Sequence, residues 1–516
     1  MTSYQILIIA FISFLLVFLP AAGMYGMFKK AGVPGWKALI PFYNVGVVLD
    51  IAKRPRHWFF WQFIPIVGWF VVLGIYIEFV KPYGKFKFYE HVLTVLASPL
   101  YFLYIGYNKT DRFLGTDVVR NYRKSAAREW IDAGIFAVVA ATLIRMFVFE
   151  AYTIPTGSME KTLLINDFLF VSKWTYGPRL PNTPLALPFV HHSLPGSNNK
   201  SYSELITLPY IRWFESPVHR NDVVVFNFPA GDTVINTDEY QSQNPYYDVI
   251  RVLGNGNADM GRNLVLSDPD TYPLVVRPVD KQENYIKRCV AISGDTLHIK
   301  DGLAYINSQA PFLPPYSQTY YMVETNGQQL DDEVLKDEYD ISVDNEDEFR
   351  NTNQPGTYRM LLTNAAIAKM TKNGFAKKIT PEVQPISPSS TVPMVYPYDT
   401  LHNWTPDNFG PIWIPKKGAE LLLTPENYSI YERAIRTYEH NKLEYKNGKF
   451  YINDQETNRY VFKMNYFWMM GDNRHQSQDS RYWGFVPEDH IVGSASLIWM
   501  SWNHGIRWKR LFSTIK

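Results

Sequence analysis

The sequence predicts a membrane-anchored, mainly β protein, in which N-terminal transmembrane helices precede an extracytoplasmic antiparallel β domain with a large insertion. Three observations support this fold class. Long apolar runs are concentrated before residue 150, short β-branched and aromatic runs follow them, and a segment rich in Pro, Asn and Asp interrupts these at residues 308–458. The aromatic content of 16% further indicates contact with a membrane interface.

The first apolar run, residues 5–24, is uncharged and of membrane length. No basic residue precedes it, whereas Lys29 and Lys30 follow it, which is the reverse of the charge order of a cleaved secretory signal. We therefore expect a retained anchor with its N-terminus outside. A second run, residues 58–80, is bounded by basic residues on both sides.

A third run completes the predicted membrane domain, which covers residues 1–130, and a fourth run follows it as the last transmembrane helix. Residues 91–107 are short and contain Pro99, so this run either spans the membrane or lies re-entrant or interfacial. Residues 130–149 form the clearest span, and the loop before it, residues 108–129, is strongly basic. By the positive-inside rule that loop is cytoplasmic, so the chain beyond residue 150 is expected outside.

The pattern then changes to short runs that are typical of strands. These runs are residues 222–228, 285–292, 296–299, 303–306 and 459–464. They predict a β domain made of residues 150–307 and 459–516. Residues 308–458 are expected to be inserted in it, either as a small lobe or as long loops.

Composition and motifs exclude several functional classes. A net charge of +2 argues against nucleic-acid binding, and the single cysteine, Cys289, is expected in the core and excludes an intrachain disulfide. The sequence has no HExxH motif, Walker A loop, CxxC pair or GxSxG elbow. No metal site and no organic cofactor are therefore predicted.

Two residues could form a nucleophile pair. Ser158 follows Gly157 just outside the last apolar run, and Lys287 lies in the strand-like run 285–292. Strand alternation puts Lys287 on the same face as Cys289, and burial lowers the pKa of a lysine. A neutral amine could then remove the proton of a serine hydroxyl. On these residues alone, a structural loop serine and a solvent-facing lysine remain the commoner alternative.

A third stretch, residues 469–493, is dense in Gly, Asp, Asn, Ser and Arg. This composition predicts a loop held by hydrogen bonds from side chains to the backbone. A hydroxyl in it, such as that of Ser477 or Ser480, could position a lysine amine. The alternative is a tight structural turn with an ion pair between Asp472 and Arg474.

Taken together, four stretches resemble the type I signal peptidases, the membrane-bound Ser–Lys leader peptidases of bacteria in the peptidase S26 family. The stretches are IRMFVFEAYTIPTGSMEKTL, RNDVVVF, YIKRCVAISGD and GDNRHQSQDSRYWGFVP, and they occur in the family's order. Four ordered boxes are far more specific than any one of them.

The resemblance implies a role for each matched position. Ser158 matches the nucleophile and Lys287 the general base. Thr156 stands where the family has a serine whose hydroxyl helps to form the oxyanion hole, and threonine keeps that hydroxyl. Ser477 matches the residue that orients the lysine amine.

Further positions match supporting and binding residues. Asp479 and Arg481 match a pair that supports the site, and Asp472 and Arg474 match framework positions. The walls of shallow pockets for small side chains are matched by Ile154, Pro155, Tyr285 and Ile286.

The chain departs from the family pattern at several places. Lys161 stands where members usually have a proline, and Asn221 replaces a common glycine, which Asn tolerates because it can adopt left-handed geometry. Residues 32–107 resemble a small membrane domain fused to long forms, notably in Bacteroidetes.

The resemblance implies a signal peptidase I that removes signal peptides from secreted preproteins, cutting after small residues at the outer membrane–water interface. Its expected partners are signal peptides, the lipid bilayer and a secretion translocon. Its expected location is the bacterial cytoplasmic (inner) membrane, as a multi-pass protein with a periplasmic catalytic domain. The main alternative is a catalytically silent scaffold of the same fold. An intramembrane or repressor-type autoprotease and a transporter fit the sequence less well.

Overall fold

The structure is a computed structural model, and it describes residues 3–197, 199–229, 231–326, 331–386 and 395–515. The chain divides into two compact units, Met1–Leu143 and Ile144–Lys516.

The first unit is helical. Its helices are α1 (Ser3–Lys30), α2 (Tyr43–Ile51), α3 (Trp58–Trp61), α4 (Val67–Val80), α5 (Phe88–Leu96), α6 (Ser98–Tyr107), α7 (Thr116–Asn121) and α8 (Ala126–Phe147), the last of which ends in the second unit. Helices α1 and α6 approach closely at glycines, since a Cβ on Gly26 would lie 2.7 Å from the carbonyl oxygen of Gly106. Small residues allow such close packing.

The apolar runs of the sequence form helices of different kinds. Among the described residues, α8 is the one single helix that is long and apolar enough to cross a membrane. Helices α5 and α6 would make a second span together, but they are bent by 117° at their break. The run predicted at residues 58–80 is divided into α3 and α4. Most side chains of the run predicted at residues 5–24 lie outside the described residues.

The second unit is mainly β, as predicted. Up to residue 308 its elements are β1 (Phe149–Thr153), β2 (Asp167–Ser172), β3 (Val223–Asn227), β4 (Thr233–Ile235), α9 (Tyr246–Leu253), α10 (Ala258–Ser267), β5 (Leu274–Val276), β6 (Asn284–Ala291), β7 (Thr296–Lys300) and β8 (Leu303–Ile306). From there to residue 458 they are β9 (Gln318–Thr325), α11 (Asp332–Tyr339), β10 (Phe349–Asn351), β11 (Thr357–Thr363), α12 (Asn364–Lys372), β12 (Ala376–Pro381), β13 (Phe409–Trp413), β14 (Glu420–Leu422), α13 (Pro425–Arg433), β15 (Leu443–Lys446), β16 (Lys449–Ile452) and β17 (Gln455–Glu456). The remaining elements are β18 (Arg459–Val461), β19 (Tyr466–Met470), α14 (Ser480–Trp483), β20 (Val486–Pro487), β21 (Ile491–Ser501) and β22 (Ser513–Thr514).

The largest sheet has eight strands in the order β1-β2-β21-β3-β6-β19-β20, with β22 paired to β21. All of these pairs are antiparallel. Strand β6 lies inside this sheet between β3 and β19, which places Lys287 opposite Val224. The sheet therefore brings distant parts of the chain to one place.

Strand β6 is buried on both of its faces. Cys289 is fully buried in a core cluster with Met469 and Trp483, while Ile286 packs against a second cluster that contains Ile154. The side chains of this strand consequently reach into the protein from Lys287 onward, and polar ones need buried partners.

The segment at residues 308–458 forms a sheet of its own, in the order β10-β11-β9-β12. We call residues 318–381, which hold this sheet with α11 and α12, the lobe. Other parts of the segment join strands outside it, since β13 pairs with β7 and β14 pairs with β18. The segment thus combines a small lobe with strands that complete neighbouring sheets.

Candidate active site

Ser158 lies on a short turn that follows the first strand of the main sheet. After β1, Ile154 is held by backbone hydrogen bonds to Asp167 and Asn166, and its side chain is buried. Thr156 is extended, and Gly157–Met159 form one turn of 3₁₀ helix. Met159 is fully buried, so the turn is anchored immediately after the serine.

Lys287 reaches this turn from β6. Its Nζ donates to Ser158 Oγ at 2.5 Å and to the carbonyl oxygen of Ile286 at 3.1 Å. The lysine is only 3% exposed, and Ser158 is 8% exposed. Burial lowers the pKa of Lys287 from 10.5 to about 8, although Asp479 and Asp472 oppose this shift. A useful fraction of the amine is therefore neutral and can accept the hydroxyl proton.

The loop at residues 471–481 closes over the nucleophile turn. The backbone N–H of Asn473 donates to the carbonyl of Ser158 at 3.1 Å, and its side-chain amide donates to that of Gly157 at 3.0 Å. The sequence reasoning did not single out Asn473. The Asp and Asn residues in this loop do predict hydrogen bonds from side chains to the backbone, but they do not indicate which backbone groups are bound.

Asp472 is fully buried and forms two hydrogen bonds with the guanidinium of Arg288, at 2.8 and 2.7 Å. It also accepts from the hydroxyl of Thr162 at 2.7 Å. The ion pair that the sequence suggested between Asp472 and Arg474 is therefore replaced by one with Arg288. Because Arg288 follows Lys287 directly, this pair ties strand β6 to the loop at residues 471–481.

The second buried pair is Asp479 with Arg481, at 2.9 and 2.8 Å. Asp479 also accepts from the backbone N–H of Gly471 at 3.1 Å. Burial raises the pKa of the Asp479 carboxyl, but Arg481 outweighs that effect and holds it below its usual value. Asp479 is thus an anion that fixes both ends of the loop.

Arg474 does not pair with a carboxylate among the described residues. Its backbone N–H donates to the carbonyl of Gln318, and its own carbonyl accepts from the guanidinium of Arg481. Burial, together with the charge of Arg481, lowers the pKa of the Arg474 guanidinium. Gln318, the first residue of β9, also donates its N–H to the Asp472 carbonyl at 2.8 Å. The lobe therefore contacts the loop at residues 471–481 directly.

Ser477 is buried beside the nucleophile turn, but its hydroxyl has no hydrogen-bond partner within the described part of the chain. Gly471 lies between Ser477 and the turn that carries Ser158. A Cβ at this position would be 2.2 Å from Ser477 Oγ and 2.5 Å from the carbonyl oxygen of Ser158. The structure thus places Ser477 near the site without the bond to Lys287 that the resemblance implies.

The four residues expected to line the pockets differ in exposure. Ile154 is buried, Pro155 is exposed, and Tyr285 and Ile286 are half-buried. The ring of Tyr285 is 5.4 Å from Lys287 Nζ, and its hydroxyl donates to Ser242 at 3.0 Å. Thr156, expected at the oxyanion hole, is exposed and lies two residues before Ser158.

One departure from the family pattern has a clear backbone reason. Asn221 has φ 74°, in the left-handed region, as expected for a residue that replaces glycine. Its N–H donates to the carbonyl of Cys289 at 2.7 Å. In the described ranges, no group of three or more His, Cys, Asp or Glu side chains is arranged to hold a metal ion.

Two protein-family models match this chain. The family model described as "Signal peptidase, peptidase S26" matches residues 127–358 and 426–502. A separate model, a family of unknown function (DUF5684), matches residues 36–116, within the helical unit.

Individual relatives are similar over much of the chain. Signal peptidase I of Haemophilus influenzae is 27% identical over 404 residues, which cover 76% of this chain and 77% of the relative. Signal peptidase I of Buchnera aphidicola subsp. Schizaphis graminum is 25% identical over 378 residues, covering 72% and 76%. That of Rickettsia bellii is 31% identical over 137 residues, covering 27% and 41%. Because the family model matches well over half of the sequence, the chain belongs to the signal peptidase family, peptidase S26.

Proposed function

We propose that this protein is a membrane-bound serine endopeptidase that removes signal peptides from secreted preproteins, with Ser158 as nucleophile and Lys287 as general base. One observation carries the assignment of roles. A buried lysine with a pKa of about 8 has its amine 2.5 Å from a serine hydroxyl. Burying a lysine side chain destabilises a protein, and strongly shifted pKa values are found mainly at functional sites.

The reaction is acyl transfer. Neutral Lys287 takes the proton of Ser158 as Oγ attacks the peptide carbonyl, and the new oxyanion is held by the Ser158 N–H and the Thr156 hydroxyl. The C–N bond then breaks, and Lys287 gives its proton to the leaving amine. Water, deprotonated by Lys287, attacks the acyl-enzyme and releases the cleaved signal peptide with Ser158 restored.

The remaining predicted residues support this reaction. Asp479 with Arg481 fixes the loop at residues 471–481, and Asp472 with Arg288 links that loop to the strand that carries Lys287. The substrate binds as an extended segment that pairs with a β edge, as in strand addition. Small side chains before the scissile bond enter shallow pockets lined by Ile154, Pro155, Tyr285 and Ile286.

The proposed location is the bacterial cytoplasmic membrane, with the β domain on the periplasmic side. Helix α8 supports an anchor directly before β1, with 22 residues and enough apolar character to span a bilayer. Helix α1 and the bent pair α5–α6 are proposed as further membrane segments. The bilayer and a secretion translocon are the proposed partners besides signal peptides.

A silent scaffold of the same fold is disfavoured because both members of the dyad are present and in contact. The test is cleavage of a purified preprotein by the full chain in detergent, compared with Ser158→Ala and Lys287→Ala. Wild type should release the mature protein and both variants should not. Cleavage by Ser158→Ala would exclude Ser158 as nucleophile.

A further inference from the structure

Lys161, three residues after Ser158, has a backbone conformation that its family's usual residue cannot adopt. Its φ is 68°, in the left-handed region. A proline ring fixes φ near −65°, so a proline at this position would require a different turn. For lysine the left-handed region is also unfavourable, which means that other contacts must hold the residue there.

Those contacts come from the lobe. The Lys161 ammonium donates to the carbonyl oxygen of Asp340 at 2.7 Å and lies 3.4 Å from a carboxylate oxygen of Glu348. The lysine side chain is only 10% exposed. Nearly all of its length is therefore covered, so it is not placed as a substrate contact.

The site that receives the ammonium is electrostatically suited to a cation. Asp340 is the C-cap residue that directly follows α11, with φ 58° and ψ 44°. The C-terminal carbonyls of a helix lack intrahelical donors and carry its negative dipole end, so a cation there is stabilised. Glu348 adds a full negative charge.

The Glu348 carboxylate is held by hydrogen bonds within the lobe as well as by its contact with Lys161. Its carboxylate accepts from the backbone N–H of Ser342 at 2.9 Å, and from the side-chain amide of Asn345 at 3.3 Å. It directly precedes β10, a strand of the lobe's sheet. The lobe thus presents a rigid acceptor for the ammonium.

The next residue along the turn is fixed from the opposite side. The Thr162 hydroxyl donates to Asp472, which in turn binds Arg288, the neighbour of Lys287. The turn that carries Ser158 is therefore held between the lobe, through Lys161, and the general-base strand, through Thr162. Displacing either contact changes where Ser158 lies relative to the amine.

We propose that Lys161 is a positioning residue, through which the lobe holds the nucleophile turn in a left-handed backbone conformation that a proline at this position could not adopt. This inference rests on the proposed function, because it concerns the alignment of the same serine and lysine. The lobe accordingly contributes to the alignment of Ser158 with Lys287.

The experiment measures kcat and KM for preprotein cleavage by the full chain in detergent. Lys161→Met and Glu348→Gln should each lower kcat by about tenfold with little change in KM, since small misplacements of a catalytic group cost up to about a hundredfold. Lys161→Arg, which keeps the cation, should recover most of the activity. Lys161→Pro should be the most impaired, despite restoring the family's residue.

Lys369→Met is the matched control. Lys369 also donates to a carbonyl at the end of α11, that of Glu338 at 2.9 Å, and pairs with the Glu338 carboxylate at 3.3 Å. It has no contact with the nucleophile turn among those described, so its loss should leave kcat unchanged. Thermal unfolding of each variant separates loss of folded protein from loss of alignment.

A charge exchange gives a second test. Lys161→Glu alone should be impaired, and adding Glu348→Lys should restore part of the activity. Wild-type kcat in Lys161→Met, or an equal loss in Lys369→Met, would overturn the inference and leave the proposed function intact. Failure of wild type itself to cleave would instead contradict the proposed function.

Discussion

Lys287 Nζ lies 2.5 Å from Ser158 Oγ, although 129 residues separate the two in the chain. The serine follows the edge strand β1, and the lysine belongs to the interior strand β6 of the same sheet. A turn and a buried strand are thus combined so that a hydroxyl meets an amine with little water. The predictions below follow from this contact and from the groups that hold it.

The cleavage rate should rise with pH through about 8. Lys287 acts as a base only when neutral, and its pKa is lowered to about 8 by burial. Below that value kcat/KM should fall about tenfold per pH unit, measured on a preprotein whose own state is constant. Lys287→Arg should be inactive throughout, because arginine stays protonated. A rate that does not change across this range would contradict the role of Lys287.

Lys287→Met should be inactive and yet more stable at pH 7. The folded-state pKa of about 8 lies below the ordinary value of 10.5, so the unfolded chain binds more protons between these values. Wild-type stability therefore rises with pH from about 8 to 10.5. Below pH 8 burial of the Lys287 amine lowers the free energy of unfolding of wild type by its full amount, on the order of 3 kcal/mol. Lys287→Met removes this cost but also loses a hydrogen bond that contributes about 1 kcal/mol. Thermal unfolding should show this gap, and the gap should close as pH approaches 10.5.

Gly471→Ala should abolish most of the activity and destabilise the protein by about 1–3 kcal/mol. The added Cβ would meet the carbonyl oxygen of Ser158 at 2.5 Å, and backbone cannot yield as a flexible side chain can. Gly505→Ala is the control, because its Cβ would have nothing within 4 Å and its φ is not in the left-handed region. Equal activity in the two variants would show that the close approach of Gly471 is unimportant.

Arg288→Met should destabilise the protein by about 3–5 kcal/mol, because it leaves the buried carboxylate of Asp472 without its partner. Adding Asp472→Asn removes that charge and keeps an acceptor for Thr162. The double variant should therefore be more stable than Arg288→Met alone. Chemical or thermal unfolding of four proteins, namely wild type, Arg288→Met, Asp472→Asn and the double variant, measures the coupling, and simple additivity would argue against a direct pair.

Thr156→Val should lower kcat by about a hundredfold with little change in KM, since removing one oxyanion donor typically costs about 100- to 1,000-fold. Thr156→Ser keeps the hydroxyl and should retain most of the activity. Thr156 is exposed, so neither change should alter the unfolding temperature by much. A wild-type kcat in Thr156→Val would show that donors other than the Thr156 hydroxyl stabilise the oxyanion.

The strands around the dyad could be predicted from the sequence. Runs of β-branched and aromatic residues correspond to β3, β6, β7 and β8 within one or two residues. Strand β3 is buried throughout, whereas β7 alternates buried and exposed side chains, and short β-branched runs of both kinds are typical of strands. Membership of the signal peptidase family was also predictable, because four motifs occur in the family's order along the chain.

Other features depend on contacts that no local pattern encodes. The partner of Asp472 is Arg288, which is 184 residues away, and the sequence suggested Arg474 instead because it is nearby. The partner of Lys161, Glu348, is 187 residues away in a segment of different composition. The bend between α5 and α6 was likewise left open, since Pro99 is compatible with a kink or a break.

The placement of the closing loop also sets when the protease becomes active during its synthesis. Asp472 meets Thr162 across 310 residues, so the ribosome has produced nearly the whole polypeptide before the turn that carries Ser158 can be completed. At about 5–20 residues per second this interval is on the order of 15 to 60 s. For most of that interval the nascent chain contains Ser158 but lacks the residue that completes its turn.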